Sequence, residues 1–270
     1  NRDFRRALAL GIDRDQLNEA FWLGVGTAGN IAPSPETIFS PGAEWNKKWG
    51  VLDLKQSNEL LDALGYTKKD NEGYRLRADG KGRLRLEMVT VGGQFVPYTQ
   101  VGEMIKQQWR KIGVDVDIKE LERNLAFTRD NNNENQIITW ANDGSEMLFL
   151  FPRHAIPVDA AESHMGMAYA RWYASKGASG KKPEDPELLR AFALFRASFG
   201  AKEEDRVNNG KEIWKILVDN VYSIGTVGQS PAFMGVRIVK NNMGNIPERQ
   251  TNAQHVRTPY SSQPITFYFK

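Results

Sequence analysis

The sequence of 270 residues has no cysteine, no long apolar run and no strong excess of either charge. The lack of cysteine excludes disulfides, thiolate nucleophiles and cysteine-ligated zinc. No run approaches the roughly 20 apolar residues that a membrane-spanning helix needs. With 36 Lys and Arg against 33 Asp and Glu, the formal charge of +3 is too balanced for a phosphate-binding surface. We therefore expect no nucleic-acid partner.

Motifs of several enzyme classes are also missing. There is no Gly-x-Ser-x-Gly nucleophile elbow and no Gly-x-x-x-x-Gly-Lys phosphate loop. Glycosidases need two carboxylates that face each other across a cleft, and Asp143 with Glu146 in one loop is a poor substitute. We expect no catalytic residues, no cofactor and no enzymatic activity.

One polar run keeps a metal-dependent hydrolase open as the alternative function. His154, Asp159, Glu162 and His164 combine residue types that bind metals within a short stretch. Their spacing matches no zinc template, and nearby prolines indicate an irregular loop. Isolated His and acidic residues usually lie on a solvated surface, so we expect no metal site.

The middle of the chain alternates between strand and helix patterns. Apolar residues alternate with polar ones at 84–88 and 114–118, and they recur at helical spacing between 101 and 112. A second helix and a third apolar run follow, and that run ends at Trp140. The pattern predicts β-α-β-α-β. Because parallel strands joined by right-handed crossovers end at one edge, we expect the loops at 92–96 and 141–146 to face one binding crevice.

Local signals predict the remaining elements. Asp13 and Asp53 are each followed three residues later by Gln, as in a helix capping box, and Gly65 suits the left-handed end of a helix. The turn Asp79-Gly80 predicts a β-hairpin. Glycines and prolines at 24–41 predict an irregular segment, periodicity fades at 147–175, and helical spacing returns at 187–199 and 202–220.

Both ends of the chain suggest an interior piece of a longer protein. A helical pattern and not a signal peptide starts at the first residue, so the protein is either cytosolic or an interior piece whose export signal was cut away. A helix that begins without a leading cap or linker favours the second. After Tyr222, short β-like pieces separated by Pro and Gly have no core partner of their own. We therefore expect a fragment whose export signal is absent and whose tail packs against another domain.

Four motifs, in this order, resemble the family-five extracellular solute-binding proteins of ABC importers. Residues 4–14 (FRRALALGIDR) are similar to the family's FRRALxxAIDR helix, and GVGTA follows at 24–28 before a Pro-rich loop. Residues 60–66 (LLDALGY) resemble its LLxxAGY helix end, and residues 108–116 (QWRKIGVDV) match its xWxKIGVxV join from helix to strand. The resemblance covers nearly the whole chain.

The resemblance implies an α/β fold, namely a periplasmic-binding-protein-like type II lobe with a mixed, partly parallel sheet flanked by helices. Residues 1–222 correspond to the second ligand-binding lobe, and residues 223–270 to a segment that returns to the first lobe. It implies a periplasmic or extracellular protein, monomeric at full length. This protein captures a peptide-like or other small polar solute and delivers it to ABC transporter permease subunits.

The resemblance also implies a ligand site. Asp143 aligns with an aspartate that takes a peptide ligand's amino terminus beside a tryptophan, here Trp140; alternatively Asp143 caps a turn and Trp140 belongs to the core. Gly93 either allows close approach of a ligand or forms a tight turn. In dipeptide-binding members an arginine in this loop binds the ligand carboxylate; none occurs here, which puts strict dipeptide specificity in doubt. The expected ligand-binding residues are Trp140, Asn142, Asp143, Gly93, Gln94 and Phe95.

Overall fold

The computed structural model describes residues 1–94, 96–142, 145–228, 239–248 and 263–270. The α-helices within these residues are α1 (Arg2–Leu10), α2 (Arg14–Trp22), α3 (Leu54–Ala63), α4 (Tyr98–Arg110), α5 (Arg123–Asn131), α6 (Met167–Ala174), α7 (Pro186–Ala197) and α8 (Glu203–Asn220). The strands are β1 (Thr27–Ala28), β2 (Arg85–Val91), β3 (Asp115–Leu121), β4 (Ile137–Ile138), β5 (Val227–Gly228), β6 (Met243–Gly244) and β7 (Tyr268–Phe269).

The central sheet has the strand order β3-β2-β4, and both pairs are parallel. Its register aligns Arg85 with Asp115 and Met88 with Ile137. Helices α4 and α5 form the two crossovers, so the predicted β-α-β-α-β order is confirmed. Antiparallel pairing in the described residues is confined to the short pairs β1-β5 and β6-β7 and to isolated bridges. The predicted α/β fold with a partly parallel sheet is therefore confirmed.

The predicted helix caps form as expected. The Asp13 carboxylate accepts from the backbone N–H of Gln16 at 3.0 Å, and Asp53 caps α3 in the same way. Gly65 has φ of +89°, a left-handed conformation that suits glycine. The hairpin around Asp79-Gly80 has less strand pairing than predicted. Its pairing is limited to isolated antiparallel bridges such as Leu76 with Arg83.

One hydrophobic core lies between the sheet and helices α1 to α4. The indole N–H of Trp109 in α4 donates to the carbonyl oxygen of Leu8 at 2.9 Å, and the Ser57 hydroxyl in α3 donates to that of Ala7 at 2.7 Å. All four residues are buried. These hydrogen bonds satisfy buried donors while the helices pack, so they fix the positions of α1, α3 and α4.

A second hydrophobic core joins α7 and α8 to the segment after the sheet. Ile213, Trp214 and Leu217 of α8 are fully buried in it. Sequence periodicity fades at 147–175, yet the structure contains α6 there, with Met167 and Ala170 as its buried residues. None of the helices in the described chain is both long and apolar enough to cross a membrane.

Candidate functional site

The residues that follow the three parallel strands lie along one edge of the sheet. We call this edge the rim and define it as residues 92–94, 121–124 and 139–142. The rim forms because β2 pairs in parallel with both neighbours: Val91 is aligned with Leu121, and the Thr139 backbone N–H donates to Val89 at 3.0 Å. The turns after β2 and β4 therefore emerge side by side, as predicted.

Four of the six predicted ligand-binding residues lie on the rim. Gly93 is exposed with φ of +69°, a left-handed conformation that suits glycine, and the Gln94 side-chain amide donates to the Gly92 carbonyl oxygen at 3.2 Å. Asn142 is exposed and Trp140 is half-buried. Phe95 and Asp143 lie outside the described residues. Their predicted roles, like those of the other four, remain predictions.

Trp140 packs among aromatic side chains of neighbouring segments. Its ring centroid lies 4.9 Å from that of Phe127, 5.8 Å from Tyr98 and 6.0 Å from His164. Tyr98 begins α4 directly after the loop that follows β2, so this contact joins the two rim loops. The structure favours the packing role of Trp140 that the sequence left open.

Sequence reasoning did not single out Arg123, the first residue of α5. It is exposed, and its guanidinium carbon lies 5.3 Å from the ring centroid of Phe127 and 5.2 Å from that of Trp140. It is also the only Lys or Arg in the rim segments of the sequence. A charged residue immediately after the end of a predicted parallel strand was the signal that could have identified it.

A carboxylate lies beside the loop that follows β2. Glu120 of β3 accepts a hydrogen bond from the hydroxyl of Thr99, and the Thr90 and Thr99 hydroxyl oxygens are 2.9 Å apart. The Glu120 carboxylate lies against Gly92, since a Cβ at that position would come within 2.8 Å of it. This end of the sheet therefore offers ionic groups of both signs, which suits a zwitterionic ligand.

The metal-site alternative receives no support from the geometry. His164 Nδ1 lies 2.9 Å from the buried carboxylate of Asp130, and the His154 ring stacks on His164 at 5.3 Å. Asp159 accepts from backbone N–H groups of its own turn, and Glu162 pairs with Arg153. Within the described residues, no group of three or more His, Asp or Glu side chains could hold a metal ion.

Two cavities lie away from the rim. A small one of about 10 Å³ adjoins Arg14, where burial lowers the pKa of the guanidinium to about 10, so it remains charged at pH 7. The other is an open groove of about 450 Å³ on the second core. Its apolar lining includes Phe149, Pro152, Val158, Tyr173, Phe195 and Phe199. Neither cavity has a rim residue in its lining, so neither replaces the rim as the candidate site.

Comparison with known proteins points to one family. The family described as bacterial extracellular solute-binding proteins, family 5 Middle, matches residues 1–150, which are more than half of the chain and include the whole rim. No curated protein sequence matches the chain. The oligopeptide-binding protein OppA shares 26% identity at a TM-score of 0.82, and the match covers 100% of this chain and 43% of OppA.

Two further solved structures share the fold. NikA from Brucella suis, in complex with Fe(III)-EDTA, has 18% identity and a TM-score of 0.62, with coverage of 89% of this chain and 45% of NikA. MelB from Agrobacterium fabrum C58, in complex with stachyose, has 17% identity and a TM-score of 0.65, with coverage of 84% and 33%. The chain therefore spans less than half the length of these three proteins.

Proposed function

The chain belongs to the bacterial extracellular solute-binding proteins of family 5, and from this premise we propose that it forms one ligand-binding lobe of an ABC importer's substrate-binding component. This component captures a peptide-like or other small polar solute outside the cytoplasm and delivers it to membrane permease subunits. The observation that carries the proposal is the family match over residues 1–150, because these residues form the rim where an open parallel sheet binds its ligand.

The proposed lobe comprises residues 1–222, and residues 223–270 return to a first lobe that completes the cleft. Exposed apolar side chains at 265–269 support the return of the last residues to another lobe, whereas the start of the segment pairs with the proposed lobe through β5 and β1. Ile265 is 94% exposed, Phe269 69% and Tyr268 56%. Among the described residues, β6 pairs only with β7. Apolar side chains exposed together usually mark a contact surface, and a second lobe would cover them.

The proposed ligand-binding residues are Asp143, Asn142, Trp140 and the loop residues Gly93, Gln94 and Phe95. Asp143 follows Trp140 by three residues in the sequence and the end of the parallel strand β4 by five. A carboxylate at this position would accept a charge-assisted hydrogen bond from a ligand ammonium group, worth about 1.5 to 3 kcal/mol. Closure of two lobes would exclude water and strengthen this interaction.

The proposed activity is binding without chemistry. The family match supports this proposal, because the matching family is described as solute-binding and OppA is named as a binding protein. We also propose that the full-length protein works as a periplasmic or extracellular monomer without nucleic acid or cofactor.

Native mass spectrometry of the full-length protein as purified tests the proposal. We expect a small polar solute to be retained and then released on denaturation, and the released solute should rebind to the stripped protein. Peptide and glycoside hydrolysis assays serve as the parallel test for an enzyme. Turnover of any of these substrates would contradict the proposal. So would a stripped protein that rebinds none of the polar solutes offered.

A further inference from the structure

We propose that Arg123 binds a carboxylate of the ligand and thereby selects anionic or zwitterionic solutes. The inference rests on the proposed function and deepens it, because it names a ligand group and the residue that recognises it. It concerns a side chain at the end of β3, the strand on the other side of β2 from Trp140.

Aromatic contacts place the Arg123 guanidinium at the rim. Its carbon lies over the rings of Phe127 and Trp140, at 5.3 Å and 5.2 Å from their centroids. These two rings are in contact with each other at 4.9 Å. Guanidinium groups are held over aromatic faces by cation–π attraction and stacking. The two rings therefore restrict a long side chain that would otherwise be free in solvent.

The charge of Arg123 is not used inside the described part of the protein. Arg129, at the other end of α5, forms ion pairs with Glu87 and Glu134, whereas Arg123 has only its ring contacts among the described residues. The adjacent Glu122 accepts from the backbone N–H groups of Asn124 and Leu125 as the cap of α5. No residue in the described part of the chain takes the N–H donors of Arg123, so these donors are available to a ligand.

The chemistry of this group favours a carboxylate. A guanidinium offers parallel N–H donors that match the two oxygens of a carboxylate, and ring contacts leave those donors accessible. The loop at 92–96 contains no arginine, and Arg123 is the only Lys or Arg of the rim segments. Arg123 is thus the cation at this edge of the sheet that can neutralise a ligand carboxylate.

Paired ligands that differ only in their carboxylate test the inference. The full-length protein, freed of bound solute, is titrated with a set of tripeptides and with the same tripeptides as C-terminal amides. Succinate and neutral oligosaccharides are included in the calorimetric panel. We expect the wild type to bind the acids about ten- to hundredfold more tightly than the amides, the range expected for hydrogen bonds to a charged group.

The variants assign this preference to Arg123. Arg123→Gln should reduce the ratio of acid to amide affinity to about one. Arg123→Lys should retain part of the preference for acids, because an ammonium group keeps the charge but lacks the parallel N–H donors of a guanidinium. Arg110→Gln is the matched control. Arg110 is also exposed and lies over one ring, that of Tyr74 at 5.6 Å, but it ends α4 at the opposite edge of the sheet. It should leave the ratio unchanged.

The outcomes separate this inference from the proposed function. Equal affinity of the wild type for acids and amides, an unchanged ratio in Arg123→Gln, or binding of neutral oligosaccharides alone would overturn the role of Arg123 and leave solute binding intact. A wild type that binds nothing in the panel would contradict both. Circular dichroism and thermal unfolding of each variant verify that a lost preference for acids does not result from unfolding of the protein.

Discussion

Arg75 is a charged residue that is only 1% exposed, and its contacts join three segments of the chain. Its guanidinium donates to the Ile112 carbonyl oxygen at 2.8 Å and to the Asn58 side-chain oxygen at 2.6 Å, and it pairs with Asp62. These partners lie in α3 and in the turn between α4 and β3. A buried charge with this many acceptors is tolerated because its hydrogen bonds replace those to water.

We expect Arg75→Lys to lower the free energy of unfolding by about 2 kcal/mol or more, because lysine cannot supply donors to all of these acceptors at once. Asp62 is half exposed and can be resolvated, which limits the loss. Urea denaturation measures the change. The control is Arg77→Lys in the same hairpin, whose ion pair with Asp79 is exposed. An equal effect of both variants would contradict the structural role of Arg75.

Two substitutions test the role of Asp143: both remove the negative charge, and one of them keeps the shape of the side chain. In the full-length protein, Asp143→Ala and Asp143→Asn should each weaken binding of an ammonium-bearing ligand by about ten- to hundredfold, the value of one charge-assisted hydrogen bond. Calorimetry with the solute identified after purification gives the affinity. Acetylation of the ligand amine should produce a similar loss in the wild type. Unchanged affinity in both variants would remove Asp143 from the proposed site.

Glu87 links three elements behind the rim. Its carboxylate on β2 accepts from Lys119 on β3 and from Arg129 on α5, the latter at 2.7 Å. Hydrogen bonds from Lys119 and Arg129 hold the pKa of Glu87 below its usual value of 4.5. The folded state therefore retains the ionised carboxylate at lower pH than the unfolded chain does. Its contribution to stability is present above about pH 4.5 and is lost as the pH falls through the lowered pKa.

Thermal unfolding between pH 7 and pH 3 measures this contribution. We expect Glu87→Gln to unfold at a lower temperature than the wild type at pH 7, and we expect the difference to shrink below about pH 4.5 as the wild-type carboxylate takes up a proton. Glu59→Gln, in an exposed pair with Lys55, should follow the wild-type curve. A difference that stays constant across this pH range would contradict the ion-pair explanation.

Elements with local causes were predictable from the sequence. The caps at Asp13 and Asp53 depend on residues three positions away, and the parallel strands depend on alternation within seven residues. Helix α6 was not predicted, because large aromatic and Met side chains occur on several of its faces and hide the helical period. The pair β1-β5 aligns Thr27 with Gly228, residues so far apart in the sequence that no local pattern can indicate their contact.

In the candidate site, too, features with local causes were predictable and features that depend on distant contacts were not. The shared edge of the sheet follows from the alternation of strand and helix, so the positions of Gly93, Gln94, Trp140 and Asn142 were predictable. The aromatic packing of Trp140 and the unused charge of Arg123 depend on α4, α5 and His164 folding together. Such tertiary contacts are not visible in the order of residues.

The proposed two-lobe protein predicts that this chain alone is a poor receptor. It carries one wall of the cleft, so the contacts and the exclusion of water supplied by the other lobe are missing. We expect the 270-residue chain to bind the retained solute at least about a hundredfold more weakly than the full-length protein, equivalent to about 2.7 kcal/mol. Calorimetry on both proteins measures the ratio. Equal affinity would contradict the two-lobe proposal.

The contact between α1 and α8, the first and last α-helices of the described residues, has a consequence for biosynthesis. Arg5 and Arg6 of α1 donate to the backbone carbonyls of Val221 and Asp219 at the end of α8, at 2.9 Å and 2.8 Å. During translation, α1 emerges from the ribosome more than two hundred codons before these acceptors do. Its docking is therefore completed late, and until then the nascent chain exposes apolar surface that a chaperone can recognise.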